Sequence, residues 1–358
     1  MRHRYAWLTL LTIAVVACVP TDREPATETK TLPPPETIEW DIPIEVNAAV
    51  ARWLGYYQND GRKSFEISLS RAGRYERLMR ETFREAGLPE DLVYMPLIES
   101  GFQATAYSRA RAMGLWQFVP NTARIYKLEM SYWVDERLDP IAATVAAADY
   151  LGDLQREFGD WYLTLAAYNA GPGRVHRAIR QAGSRDYWIL SSRRALTRET
   201  RDYVPKLIAA ALIAKQPAQY GVRKRAQPIA TFDIAYVPDA TSLDVVAEAA
   251  GVPIDEILAL NLHLIRGVTP PGLRYPIRLP AGTPRIFAEN YAEVPPSERV
   301  RSVVHFVRRG ETLERIARRY GTRISAIRAA NDDLDPKRLL AGQRLLIPGA
   351  RNVPGLSD

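Results

Sequence analysis

A helical unit followed by two copies of a small α+β module is the architecture this sequence predicts. Three observations carry it. Apolar residues recur at helical spacing over residues 46–215, with Gly and Pro where the periodic runs stop. From Tyr236 onward the chain repeats itself at an interval of 70 residues. Ahead of both lie a short apolar run and a stretch rich in Pro, Thr and Glu.

Residues 1–17 read as a secretion signal. Arg2 and Arg4 open the chain, and Tyr5 to Ala17 is a mostly apolar run of 13 residues. That is shorter than the roughly 20 residues a spanning helix needs. Val15-Val16-Ala17-Cys18 resembles a bacterial lipobox. The resemblance implies cleavage before Cys18 and acylation of that residue, and several acyl chains together anchor firmly where one does not. An uncleaved anchor with an incidental cysteine is the alternative. Val19, rather than Asp, at the next position implies sorting to the outer membrane of a two-membrane bacterium. Residues 18–43 then read as a lipid-anchored, disordered tether, extended by Pro33, Pro34 and Pro35.

The helical unit is expected over residues 44–217. Val46, Val50, Trp53, Leu54 and Tyr57 share one face. Tyr75, Leu78, Met79, Thr82, Phe83 and Ala86 share another, ended by Gly87 and Pro89. A short helix over residues 90–100 puts Glu99 at its C-terminal end. Asp139-Pro140 reads as the N-cap and first residue of an Ala-rich helix reaching Phe158. Helices over residues 161–170 and 175–181 are separated by Gly171-Pro172-Gly173. Residues 197–215 close the unit, with Pro205 inside that helix and Pro217 beyond it.

In the repeat, Val237, Leu243, Val246, Gly251, Ile257 and Asn261 fall on Val307, Leu313, Ile316, Gly321, Ile327 and Asn331. Each copy reads strand, helix, helix, strand. The modules are placed at residues 230–283 and 302–350, with Pro295-Pro296 as a linker. Gly310-Glu311-Thr312-Leu313, Ile316-Ala317, Asn331 and Leu345-Leu346-Ile347-Pro348 resemble the LysM module, which binds N-acetylglucosamine-containing glycans. The first copy carries Ala240 where the second carries Gly310. It is therefore a degenerate module, for which glycan binding and a structural role stand equally open. Pro276 cannot donate to a strand ladder, which predicts a shorter or edge closing strand in that copy.

Composition narrows the chemistry. The chain has 358 residues, 47% hydrophobic and 25% charged, enough for two or three globular domains. Its net charge of +7 suits an anionic partner such as cell wall, phospholipid or nucleic acid, or serves solubility alone. Cys18 is the single cysteine, and His3, His176, His263 and His305 lie far apart. No intrachain disulfide, metal site or cofactor is expected from them. The arginines of the second copy, among them Arg308, Arg315, Arg319 and Arg328, read more simply as a solvated helix face than as a nucleic-acid surface.

The chemistry centres on residues 92–118. Glu99 follows the apolar run Met95 to Ile98 and precedes Gly101-Phe102. Apolar neighbours disfavour a carboxylate's charged form and raise its pKa from about 4.3. A Glu still protonated near neutral pH is what a general acid requires. Glu99-Ser100, Gly114-Leu115-Trp116-Gln117-Phe118 and Ala167-Tyr168-Asn169-Ala170-Gly171 follow one another, and Glu199 to Val204 comes after. These blocks resemble, in order, the signatures of the lytic transglycosylases with a goose-type-lysozyme-like catalytic domain. Many members carry Met at the position of Trp116. Trp there points to a membrane-bound D-type branch that also carries C-terminal LysM repeats.

The resemblance implies a multidomain protein: an all-α lysozyme-like catalytic domain followed by two LysM-like modules. It implies cleavage of peptidoglycan glycan strands between N-acetylmuramic acid and N-acetylglucosamine with one Glu as acid and then base. Glu99 is the catalytic candidate; Glu90 and Asp91 lie on the same short helix and are not obvious partners across a cleft. Ser100 and Gln117 would hydrogen-bond the sugar substituents. Tyr168 and Asn169 would border the cleft, and Tyr203 would hold the Glu99 carboxyl. Trp116 would offer an apolar face to a sugar ring, with Leu115 and Phe118 beside it. Core packing is the competing reading for Leu115, Trp116, Phe118, Tyr168 and Tyr203. A hydrolytic muramidase of the same fold and a non-catalytic wall-binding scaffold are the competing functions. The lipobox adds membrane attachment at the periplasmic face of the outer membrane.

Overall fold

The computed structural model describes residues 39–331, 334–335 and 338–350. The signal, Cys18 and most of the expected tether lie outside the described residues. The end of that tether does not behave as one. Ile42 is buried, and Lys215 Nζ sits 4.4 Å from the Trp40 ring centroid. Asp41 accepts from the Glu90 N–H at 2.7 Å. Two apolar side chains and an acceptor for free helix-start N–H groups are enough to pin residues 40–42 onto the fold.

Ten α-helices build the first unit. They are α1 (Ala48–Gln58), α2 (Arg62–Ala72), α3 (Glu76–Glu85), α4 (Met95–Glu99), α5 (Pro120–Ile125), α6 (Pro140–Phe158), α7 (Trp161–Ala170), α8 (Pro172–Ala182), α9 (Tyr187–Ser192) and α10 (Arg198–Lys215). Local chemistry explains the sharpest boundaries. Asp139 accepts from the Ile141 and Ala142 N–H groups, Pro140 occupies the first turn, and Gly159 closes α6 in the left-handed conformation. Thr197 caps α10 and accepts from the Thr200 N–H. The segment expected as one short helix over residues 90–100 is a 3₁₀ turn, Glu90–Tyr94, running into α4. Helix α10 lies in the middle of the unit, against α1, α4 and α7. Its buried run Leu207 to Ala214 joins Leu54, Phe83, Met95, Leu151 and Leu163 in one apolar core.

The two repeats follow as expected. The first is β1 (Phe232–Val237), α11 (Leu243–Ala250), α12 (Ile254–Leu260) and β2 (Tyr275–Pro280). After α13 (Pro284–Ala292) comes the second: β3 (Ser302–Phe306), α14 (Leu313–Tyr320), α15 (Ile324–Ala329) and β4 (Arg344–Pro348). Each strand pair is antiparallel and two-stranded. One asparagine per copy ties the second helix to the closing strand. Asn261 donates to Ile257 O and Arg278 O and accepts from the Arg278 N–H; Asn331 does the same with Ile327 O, Leu346 O and the Leu346 N–H.

One expectation holds only in its edge alternative, and one fails. The closing strand with Pro276 is not shortened: β2 has six residues against five in β4, and Pro276 pairs opposite Tyr236. In a two-stranded sheet every strand has a free edge, so a missing N–H is tolerated on that side. The segment read as a linker contains α13, which packs on α11 with Phe287 and Tyr291 buried. The two copies share one core, and Val304 N–H donates to Arg266 O at 2.6 Å across them.

Candidate active site

A cleft with a volume of about 750 Å³ opens in the helical unit, lined by α4, α7, α10, part of α1 and the loop before α5. Glu99, the last residue of α4, lines it together with Gln117, Phe118, Tyr168, Asn169 and Tyr203. Four sequence blocks far apart in the chain thus meet at one place.

Tyr203 O–H donates to Glu99 Oε1 at 2.6 Å. Enclosure by protein pushes the Glu99 pKa up to about 7. The nearby Glu199 charge adds to the rise, while the Tyr203 hydrogen bond and the Lys206 charge oppose it. Glu99 remains partly exposed to the open cleft, so a bound ligand that excludes water would deepen the effect. Burial also holds the Tyr168 and Tyr203 hydroxyls well above their usual range, which keeps both as hydrogen-bond donors.

The loop opposite Glu99 is held through its backbone. Ser100 Oγ donates to Leu115 O at 2.9 Å, and Tyr168 O–H donates to Trp116 O at 2.8 Å. Gln117 has φ of +50° and its amide nitrogen donates to Gly114 O at 2.9 Å. A non-glycine residue in that region is uncommon and costs of order 1 kcal/mol or more. Gly114 has φ of +82°, and a Cβ there would lie 1.8 Å from Arg137 O, so glycine is required twice over. Asn169 accepts from Thr200 Oγ1 at 2.9 Å, which fixes its amide at the rim.

Three expected roles are corrected. Trp116 offers no face to a sugar: it is fully buried, edge-on to Phe83, and its indole N–H donates to Thr144 Oγ1 at 2.9 Å. Leu115 is buried, and its carbonyl is what touches the site. Phe118 borders the cleft but is only 2% exposed as a residue, so it acts as wall rather than platform. A Trp beside Gly in a loop reads as a surface platform; a distant hydroxyl partner and a neighbouring Phe draw it inward instead.

The cleft also contains residues the sequence reading passed over. Glu199 and Lys206 flank Tyr203 at i−4 and i+3 on α10, so helical spacing alone would have placed them once Tyr203 was assigned. Lys206 Nζ lies 3.4 Å from Ile98 O and 5.5 Å from the Trp53 ring centroid. Trp53 of α1 forms a wall of the same cleft. Asp91, by contrast, is buried in an ion pair with Lys215 at 2.8 Å, and Glu90 pairs with Arg84, so neither faces the cleft.

The transglycosylase SLT domain family matches residues 79–191, the LysM-like domain of lytic transglycosylase MltD matches residues 231–295, and the LysM domain matches residues 305–348. Membrane-bound lytic murein transglycosylase D of Escherichia coli (strain K12) is 32% identical over 292 residues, covering 77% of this chain and 63% of that protein. The chain thus carries a transglycosylase SLT domain followed by two LysM-type domains. The helical unit contains the first of these matches, and the two strand–helix–helix–strand modules coincide with the other two. The chain spans 63% of the length of this curated relative. A putative tributyltin chloride resistance protein of Alteromonas sp. (strain M-1) is 50% identical over 93 residues, 26% of this chain and 45% of that one. Among solved structures, the 70 kDa soluble lytic transglycosylase of Escherichia coli overlaps 49% of this chain and 31% of its own, at 22% identity and TM-score 0.35. Glu99, Ser100, Gln117, Tyr168 and Asn169 fall inside the SLT-domain match; Trp53, Tyr203 and Lys206 fall outside it.

Proposed function

We propose that this chain is a peptidoglycan lytic transglycosylase, with Glu99 alone as its acid and base. The observation that carries this reading is the carboxyl with its pKa pushed up to about 7, hydrogen-bonded by Tyr203 inside the cleft. Glu99, protonated, gives its proton to the glycosidic oxygen as the bond from C1 of N-acetylmuramic acid to N-acetylglucosamine breaks. The resulting carboxylate, held by Tyr203 and near Lys206, then takes the proton of the muramic acid C6 hydroxyl. That oxygen bonds to C1 and closes a 1,6-anhydro ring, so no water is consumed. The substrate's own acetamido group assists in place of a second carboxylate. Gln117, Tyr168 and Asn169 border the sugar, and Ser100 serves through the loop it ties down.

Residues 44–217 would form the catalytic domain, 230–283 the degenerate LysM-like module and 302–350 the glycan-binding LysM module. Cys18 would carry the lipid anchor, with residues 18–39 as the tether and the enzyme at the periplasmic face of the outer membrane. Among the described residues no helix is long and apolar enough to cross a membrane. The substrate is the glycan strand of the wall, and wall remodelling is the role such a product serves.

Glu199 gives a specific ground for the competing hydrolytic reading, since it places a second carboxylate in the cleft. Mass spectrometry of fragments released from purified sacculi decides. Transglycosylation gives ends one water lighter than hydrolysis, and these should vanish with Glu99→Gln. Reducing ends of hydrolytic mass would select the muramidase, and no release at all the non-catalytic scaffold.

A further inference from the structure

We propose that the first LysM-like module is a brace for the active-site loop, acting through Arg278 and the backbone of His263, rather than a glycan-binding arm. The inference rests on the catalytic reading above for its consequence on rate, though not for its structural content.

The segment Met130–Asp139 belongs by sequence to the helical unit, yet it is shared between the two cores. Trp133 and Val134 are buried in the core of the LysM-like modules, not in that of the helical unit. Val134 forms an antiparallel bridge with Leu264. Asp135 N–H donates to His263 O at 2.9 Å, and Ile265 N–H donates to Trp133 O at 3.0 Å. A short piece of backbone ladder therefore joins the units, inside an apolar surround.

Two polar routes lead from this seam to the cleft. In the first, Asp135 grips Arg137 with both carboxylate oxygens, at 2.9 and 2.6 Å, and both side chains are buried. Arg137 Nη1 then donates to Arg111 O at 2.9 Å and Phe118 O at 3.3 Å, the two ends of the loop that carries Gly114 to Gln117. The Arg137 carbonyl fills the space that Gly114 leaves open. In the second, Arg278 of β2 pairs with Asp139 at 2.6 Å, and His263 Nδ1 lies 3.5 Å from the same carboxylate oxygen. Asp139 is the N-cap of α6, whose next turn carries Thr144, the partner of the Trp116 indole. Both routes end on residues 111–118.

A bidentate, buried Arg–carboxylate pair holds geometry as well as charge. Arg137 and Arg278 are thus positioning residues: they touch the loop and its support, not the substrate. Module and cleft are set in one piece, which explains why a copy with Ala240 in its first turn is kept.

The test uses the full chain with three variants. Arg278→Ala removes the module's side-chain contact to Asp139 and leaves the backbone ladder at Val134 in place. Asp139→Asn keeps a side chain that caps α6 as well as Asp does, while removing the charge Arg278 binds. Amide hydrogen exchange is read over residues 111–118 and 139–147, with α8 as internal control. Exchange over those residues should quicken by about tenfold or more in both of these variants while α8 is unchanged. On short soluble glycans kcat should fall roughly ten- to hundredfold with KM little moved, because a displaced loop loses near-attack geometry rather than affinity. Arg278→Lys, which keeps charge without the fork, should recover part of the rate. A third variant, Arg137→Lys, loosens the other route by removing the fork that grips Asp135 and the loop; unchanged exchange over residues 111–118 in all three variants overturns the brace, as does a loss of rate explained wholly by a smaller folded fraction. If the wild type cleaves no glycan, the catalytic reading fails, and the exchange data still decide the brace.

Discussion

Tyr203→Phe removes one hydrogen bond and nothing else from the core, because the ring of Tyr203 is buried and Phe fills the same space. The lost bond is the 2.6 Å contact to Glu99 Oε1. It favours the carboxylate over the acid, so its loss must move the Glu99 pKa up from about 7, not down. A hydrogen bond to a charged group contributes about 1.5–3 kcal/mol. At about 1.36 kcal/mol per unit, that corresponds to one to two units. The open cleft lets water replace part of it, so a rise of about one unit is expected. The proposed reaction begins from the protonated acid, so the alkaline limb of kcat/KM should shift about one unit toward higher pH. The plateau should fall as well, since the carboxylate formed in the first step loses its holder. The assay is the pH dependence of anhydro-end formation on soluble glycan, for wild type and Tyr203→Phe at equal ionic strength. A limb that stays put, or moves to lower pH, would refute the assignment of that limb to a Glu99 held by Tyr203.

Glu99→Gln should stabilise the fold on the alkaline side only. The wild-type carboxyl titrates near 7 when folded against an ordinary value of 4.5, so wild-type stability is lost as pH rises between the two and the loss is complete above 7. The gain at pH 8 is at most about 3 kcal/mol, and less because Glu99 is partly exposed; urea unfolding at pH 4 and pH 8 checks it, and equal gains at both would contradict it. Trp116→Ala should cost about 3–5 kcal/mol in the same assay, as for any fully buried large side chain; a neutral stability change with a raised KM would restore the sugar-platform role. A fragment over residues 231–350 should unfold in a single transition, because its two modules share one core; two separate transitions would show that they fold apart.

The site was legible where it rests on local signals. The apolar run before Glu99 is a local hint of a raised carboxyl pKa, while its catalytic role and that of Tyr203 came from the resemblance of their blocks to the transglycosylase signatures. Asp139-Pro140 announced α6 by cap chemistry alone. What escaped depends on partners distant in sequence. The indole of Trp116 finds Thr144, 28 residues on. Trp53 reaches the cleft because α1 packs on α10, which no periodicity encodes. Asp135 and Arg137 look like solvated charges two residues apart until a second core closes over them. The helix α13 was readable and missed: Phe287 and Tyr291 stand at i and i+4, but the prolines after them drew the reading toward a linker.

Gly267 carries one further consequence. A Cβ at that position would lie 2.5 Å from Val304 Cγ2, so the backbone of the first module runs hard against the first strand of the second. Together with the seam at Trp133, this leaves little slack between the second module and Glu99. A loosely strung carbohydrate module raises local concentration and lets the enzyme graze over a wide area. On the proposed function, a module mounted this tightly would work instead like the fence of a saw: a strand seated on it would meet the blade at a set offset, or not at all.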